Sequence, residues 1–156
     1  MRMKLSQTVL LNHRTRSPVN LTPLGFGGAP LGNLYRKIED GAAQATLDAA
    51  WDAGIRYFDT APQYGLGRSE LRFAEGLARF DSGSTTLSTK VGRLLADCAA
   101  EDVTPEAFVD VPQKCIVFDY TYDGIMRSMD DSIARLGTSK IEILFLHDID
   151  AGTHGE

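Results

Sequence analysis

A chain of 156 residues with 43% hydrophobic and 24% charged side chains has the balance of an ordinary folded domain, which excludes a disordered tail and a membrane protein. Its formal net charge of −5 at pH 7 argues against nucleic acid as a partner, because phosphate binding calls for a basic face, and leaves small soluble ligands. Met1-Arg2-Met3-Lys4-Leu5 has no apolar stretch behind it, and no window approaches the roughly 18 apolar residues of a membrane span, so no leader and no membrane association are expected. Cys98 and Cys115 are too few and too far apart for a zinc cluster or a disulfide framework and read as reduced thiols of a cytoplasmic protein. His13 and His154 have no partners at ligand spacing, so no metal site is expected.

Taken in order, Thr8 to Val19 reads as a short hairpin or extended arm with a turn near Arg14 to Pro18, inside a terminal arm covering 1–22. Leu24-Gly25-Phe26-Gly27 is a short first strand. Asp40 to Ala53 sets Ala43, Leu47, Ala50 and Trp51 on one helical face and stops at Gly54, a residue suited to the position after a helix. Ile55 to Phe58 is a second strand. Ser69 to Phe80 predicts a second helix with Leu71, Ala74, Leu77 and Phe80 in phase and Ser69 as its cap, and Thr85 to Val91 a third strand. The segment 92–120 is long, weakly periodic and broken by Pro105 and Pro112, which marks it as a functional loop or lid. Asp123 to Leu136 puts Ile125, Met129, Ile133 and Leu136 in helical register up to Gly137, and Ile141 to Leu146 reads as a fourth, buried strand. Alternating strands and helices call for an α/β fold with parallel pairing and right-handed crossovers.

Asp59, Tyr64, Lys90 and His147 stand at or just beyond the ends of the second, third and fourth strands, and in a parallel barrel those ends meet at one mouth. Reducing a carbonyl by hydride requires a proton at the oxygen as charge develops there, and a phenol, with a pKa of about 10, is too weak an acid unless perturbed. A neighbouring ammonium favours the ionised phenol. In that arrangement Lys90 supplies the charge, Asp59 pairs with Lys90 and fixes it, and His147 directs a hydrogen bond at the substrate oxygen. Ionised, Tyr64 serves the reverse reaction as base. Each residue alone also has a plainer reading: a turn aspartate, a Tyr-Gly loop, a solvated lysine, a hydrogen-bonded strand terminus. Gly65-Leu66-Gly67-Arg68-Ser69-Glu70 follows a strand and opens a helix like a dinucleotide fingerprint, but Glu70 stands where the third glycine belongs, so a turn presenting Tyr64 is the better reading. Gly25-Phe26-Gly27-Gly28 is either a tight turn or a strand end that a flat group approaches closely.

Four stretches in order carry a family likeness: Gly25-Phe26-Gly27-Gly28-Ala29-Pro30-Leu31-Gly32, Ala53-Gly54-Ile55-Arg56-Tyr57-Phe58-Asp59-Thr60-Ala61, Ser88-Thr89-Lys90-Val91-Gly92 and Phe145-Leu146-His147-Asp148. From roughly Leu24 onward the chain resembles the aldo-keto reductases, closest to the branch of sugar (fucose/galactose, D-threo-aldose) 1-dehydrogenases and pyridoxal 4-dehydrogenases. The resemblance implies the N-terminal half of a TIM (β/α)8 barrel, since a complete one takes about 250 residues, with a hairpin across its floor. It also implies hydride transfer with NADP or NAD on a small carbonyl or sugar substrate. Asp59, Tyr64, Lys90 and His147 become the catalytic set, and Gly28, Ala29 and Asp59 the seat of the nicotinamide end of the cofactor. In such proteins the fifth to eighth strands hold the cofactor's adenine end and phosphates. Two other readings stay open: a regulatory or scaffold subunit of the same fold, as in potassium-channel β subunits, and a fragment without the clamp for the cofactor. Half a barrel would leave open strand edges, through which self-association is expected.

Overall fold

The computed structural model describes residues 7–11 and 19–155. The terminal hairpin pairs β1 (Val9–Leu11) antiparallel with β2 (Val19–Leu21); the turn expected near Arg14 to Pro18 lies outside the described residues. There follow β3 (Gly25–Gly27), α1 (Asp40–Asp52), β4 (Tyr57–Asp59), α2 (Arg68–Leu77), β5 (Thr86–Val91), β6 (Arg93–Asp97), β7 (Lys114–Phe118), α3 (Tyr122–Leu136), β8 (Ile143–Leu146) and the short α4 (Ala151–His154). As expected, β3, β4, β5 and β8 form one parallel sheet in that order, with α1, α2 and α3 in the crossovers. The hairpin is tied to the amino ends of the strands: Asn20 O accepts from Thr86 Oγ1 at 2.6 Å, and Thr22 Oγ1 accepts from the Arg56 N–H at 3.1 Å.

Side chains alternate across a pleated sheet, and residues paired in register share a face. The register Gly27↔Asp59↔Ser88 therefore puts Gly25, Gly27, Tyr57, Asp59, Thr86, Ser88 and Lys90 on one face and Phe26, Phe58, Leu87 and Val91 on the other. The second face is the one the helices cover. Phe58 is fully buried, its ring 6.0 Å from Phe26 and 6.2 Å from Phe73, and Leu31, Ala43, Leu47, Ala50, Leu87 and Leu136 complete the core. Burying each large side chain stabilises the fold by about 1.5–3 kcal/mol.

α1 follows its sequence pattern, with Ala43, Leu47 and Ala50 inward and Gly54 at φ 94° just past its end. α2 does not. It opens after Gly67, so Ser69 lies inside the helix and is not its cap; the Ser69 hydroxyl donates to Gly28 O at 2.8 Å and lies 2.9 Å from Thr60 Oγ1. Its buried face is Ser69, Glu70, Arg72, Phe73 and Gly76, while Leu71, expected inside, is 53% exposed. The cause is a polar interior that apolar periodicity does not register. Glu70 is wholly buried because Arg135 Nε, at 2.6 Å, and Thr89 Oγ1, at 2.8 Å, both donate to it. Arg72 is buried because it donates to Asp40, Asn33 and the carbonyls of Leu31 and Ile38. Charge enters a core only when its partners come with it.

α3 is capped by Thr121, whose side chain accepts from Gly124 N at 3.1 Å, and ends as expected at Gly137, φ 63°. Its innermost stripe is Gly124, Ser128, Ser132 and Leu136, with Ile125, Met129 and Ile133 half-buried beside it. β8 corrects the expectation of a buried strand: Leu144, Phe145 and Leu146 are 40%, 44% and 50% exposed, because β8 has β5 on one side and, among the described residues, no strand on the other.

The segment 92–120 is also more ordered than the loop expected of it. β6 and β7 form an antiparallel ribbon with Ala96 opposite Cys115 and Asp97 opposite Lys114. That register folds the sequence separation of 17 back on itself and brings the Cys98 and Cys115 Cα atoms to 5.9 Å, where they form a disulfide. The reading of two reduced thiols is thereby corrected. Spacing along the chain is no guide once a ribbon pairs its ends.

Candidate active site

The carboxyl ends of β4, β5 and β8 bring Asp59, Lys90 and His147 together, and the turn between β4 and α2 adds Tyr64. Lys90 Nζ donates to Asp59 Oδ2 at 2.8 Å and to Thr60 O at 2.9 Å, and lies 4.6 Å from the centre of the Tyr64 ring. The Tyr64 and His147 rings meet edge to face at 6.1 Å. All four residues singled out in the sequence therefore share one cluster. Ser88, two residues before Lys90 on the same face, donates to Asp59 Oδ1 at 2.6 Å, so both carboxylate oxygens of Asp59 are held.

Tyr64 is placed by backbone packing. Gly65, at φ 66°, lies directly against the Gly32 backbone, and a β-carbon on either glycine would strike the other chain segment. Tyr64 O accepts from Ser69 N at 3.1 Å, which joins the turn to the first turn of α2. Above the ring, Phe108 of the 92–120 segment packs at 6.0 Å. Gly65 to Glu70 thus presents Tyr64 and starts a helix, with Gly67 before it and Glu70 turned into the core.

Lys90 is largely buried, which by itself would lower its pKa. The carboxylate of Asp59 and the phenol of Tyr64 together outweigh that cost and raise it above the ordinary lysine value. His147 is 5% exposed, and burial, with the positive charge of Arg93 added, lowers its pKa to about 4 against the opposing pull of Asp148. Its imidazole is accordingly neutral near pH 7. The backbone around it is fixed: His147 N donates to Val91 O at 3.1 Å and Tyr120 donates to His147 O at 2.6 Å.

The glycine-rich stretch divides into two kinds of position. Gly28 is a glycine for packing reasons: a β-carbon there would meet the Phe73 ring and stand 2.8 Å from Asp59 O, and its N–H already donates to Asp59 O at 2.7 Å. Gly27 is the open one. It lies on the face of Asp59 with nothing within 4 Å of where a β-carbon would stand, which leaves room for a flat ring beside the Lys90–Asp59 pair. Ala29 is half-buried at the start of the 3-10 turn that follows.

Sequence reasoning missed Ser88, Arg93, Gln63 and Asp148. Ser88 was within reach of the two-residue strand period. Arg93 was not: its partners Gln63 and Asp148 are 30 and 55 residues away along the chain. Among the described residues no group of acidic, histidine or cysteine side chains could hold a metal ion, and no helix is long and apolar enough to cross a membrane.

A model of the aldo/keto reductase family matches residues 23–156. The chain is 44% identical over 150 residues to a pyridoxal 4-dehydrogenase of Microbacterium luteolum, a match covering 90% of this chain and 44% of that protein. It is 43% identical over 129 residues to a D-threo-aldose 1-dehydrogenase of a Pseudomonas species, covering 80% and 39%. An aldo-keto reductase of Bacillus halodurans solved in its holo form is similar in structure at a TM-score of 0.60 and 25% identity, over 81% of this chain and 36% of that one. The chain spans roughly two fifths of the length of these relatives. The four-strand sheet is the N-terminal half of a TIM (β/α)8 barrel, as the sequence implied.

Proposed function

Because the chain belongs to the aldo/keto reductase family, we propose that the protein interconverts a carbonyl or lactone and an alcohol or sugar hemiacetal, with NAD or NADP as hydride carrier. One observation carries the reading: Lys90 Nζ is held at 2.8 Å by Asp59 and stands 4.6 Å from the ring centre of Tyr64, at the carboxyl ends of neighbouring parallel strands. The names of the two similar dehydrogenases support a sugar-like or pyridoxal-like substrate.

The nicotinamide cofactor would supply or accept the hydride, with its ring end against the open face at Gly27 and Asp59 and beside Gly28 and Ala29. The chain's own residues handle the proton. Tyr64 gives a proton to the carbonyl oxygen in reduction and takes one from the hydroxyl in oxidation. Lys90 stabilises the phenolate left behind, an interaction that grows as charge develops and therefore favours the transition state over the ground state. Asp59 holds the ammonium where Tyr64 can use it. His147, neutral near pH 7, can offer an N–H to the substrate oxygen without competing as an acid. Phe108 over Tyr64 keeps water from one side of the phenol.

The test is spectrophotometric. The protein is mixed with NAD or NADP and either an aldose or pyridoxal, and formation of the reduced nicotinamide is followed by its near-ultraviolet absorbance. Cofactor reduction that saturates with substrate is expected. No reduction with either cofactor, and no reverse reaction with the aldehyde or lactone, would overturn the reading.

A further inference from the structure

Arg93 opens β6, three residues past Lys90, and is 3% exposed. Both arms of its guanidinium are engaged, Nη1 donating to Gln63 Oε1 and Nη2 to Asp148 Oδ2 at 2.8 Å. Gln63 is the residue before Tyr64, and Asp148 is the residue after His147. We propose that Arg93 is a positioning residue that locks Tyr64 and His147 into one relative geometry by gripping the neighbour of each. The proposal rests on the reading of those two residues as the groups that meet the substrate oxygen.

Three features favour a bridge over a mere counter-charge. Asp148 has φ 43°, in the left-handed region, and although its side chain is 55% exposed its carboxylate turns from solvent to meet Arg93 Nη2 at 2.8 Å. Gln63 is buried and held at its other end by Glu106, itself at φ 52°, so its carbonyl is aimed at Arg93 from the far side. The Phe118 ring centre lies 5.2 Å from the guanidinium carbon and closes the remaining side. A planar fork can hold two acceptors at a fixed angle. A lysine ammonium supplies the same charge from one point and fixes no such angle.

The experiment is a double-mutant cycle on the 156-residue chain, read by NMR as the titration midpoint of the His147 imidazole, one of three histidines. The groups facing that imidazole are Arg93 from β6, the adjoining Asp148, Lys90 from β5, Asp59 from β4 and the Tyr64 ring; Tyr120 and His154 bond to the carbonyls of His147 and Asp148. Gln63→Leu removes one end of the bridge without changing any charge. With Arg93 present it should move the His147 midpoint by about half a pH unit, and in an Arg93→Lys background by much less, since pairwise coupling is lost with the fork. Equal shifts in both backgrounds, or no shift in either, would overturn the bridge. Asp148→Asn, read at the Tyr64 ring signals with Arg93 and with Lys at that position, runs the same cycle from the other end and serves if Gln63→Leu does not fold. Neither readout needs cofactor, so a protein that transfers no hydride could still show the coupling, and an active one could lack it.

Discussion

Across β4 and β5, the Lys90 ammonium stands 2.8 Å from Asp59 Oδ2, with side chains 15% and 24% exposed. A pair this sheltered lies between a surface ion pair, worth less than about 1 kcal/mol, and a fully buried one, whose breakage costs about 3–5 kcal/mol. Asp59→Asn is therefore expected to destabilise the chain by about 2 kcal/mol in urea unfolding and to lower the Lys90 pKa, because burial would then act with less to oppose it. An unaltered Lys90 titration would show that the carboxylate does not set its charge.

Tyr64→Phe removes one oxygen and leaves the turn, the Gly32 contact and the Phe108 packing in place. In an active protein that also carries the fifth to eighth strands, turnover should fall by about 10²- to 10⁴-fold, the usual worth of a positioned acid or base, with cofactor affinity unchanged. Comparing kcat with the dissociation constant from nicotinamide fluorescence separates the two effects. A variant with undiminished kcat would remove Tyr64 from the chemistry.

His147 gives acid sensitivity a definite window. Its folded pKa of about 4 lies below the ordinary imidazole value of 6.5, so the unfolded chain binds the proton more readily. Stability is complete above about pH 6.5 and is lost as the pH falls toward about 4, some 2 kcal/mol of it by about pH 5. Asp40, Asp81, Asp119 and Asp150 are also shifted down, each chiefly by a side-chain hydrogen bond, and their losses begin only nearer the ordinary carboxylate range. Urea midpoints for wild type and His147→Gln should diverge with pH above that range, the variant showing the flatter profile.

The Cys98–Cys115 link closes a short loop across the β6–β7 ribbon. Chain-entropy reasoning puts such a closure at about 3 kcal/mol, and the ribbon's own pairing reduces what the bond adds. Reductant should lower the melting temperature, and Cys98→Ser with Cys115→Ser should melt at the lower value whether or not reductant is present. A melt insensitive to reductant would mean that the thiols are unpaired in solution.

Exposed Leu144, Phe145 and Leu146 on an edge strand present both apolar surface and unpaired backbone groups. The isolated chain should self-associate, and sedimentation should reveal dimers or larger species whose share rises with concentration. A compact monomer at all concentrations, with a sharp melt, would show that β8 is stable as a free edge.

The sequence by itself determined the four parallel strands with the three helices between them and the four residues of the cluster, but not the β6–β7 ribbon. Those features are written in local pattern: Phe58 and Asp59 alternate across a strand, Ala43, Leu47 and Ala50 recur at helical spacing, and strand ends that point one way converge. Tertiary structure alone decided which face of α2 is buried, because Glu70 and Arg72 enter the core only with partners that the fold delivers, Arg135, Thr89, Asp40 and Asn33. It alone decided the disulfide, since the pairing register of β6 and β7 brings Cys98 and Cys115 together. It alone placed Arg93 between the neighbours of Tyr64 and His147, for periodicity reports which side of an element is apolar and says nothing of a polar group whose partners lie 30 and 55 residues away.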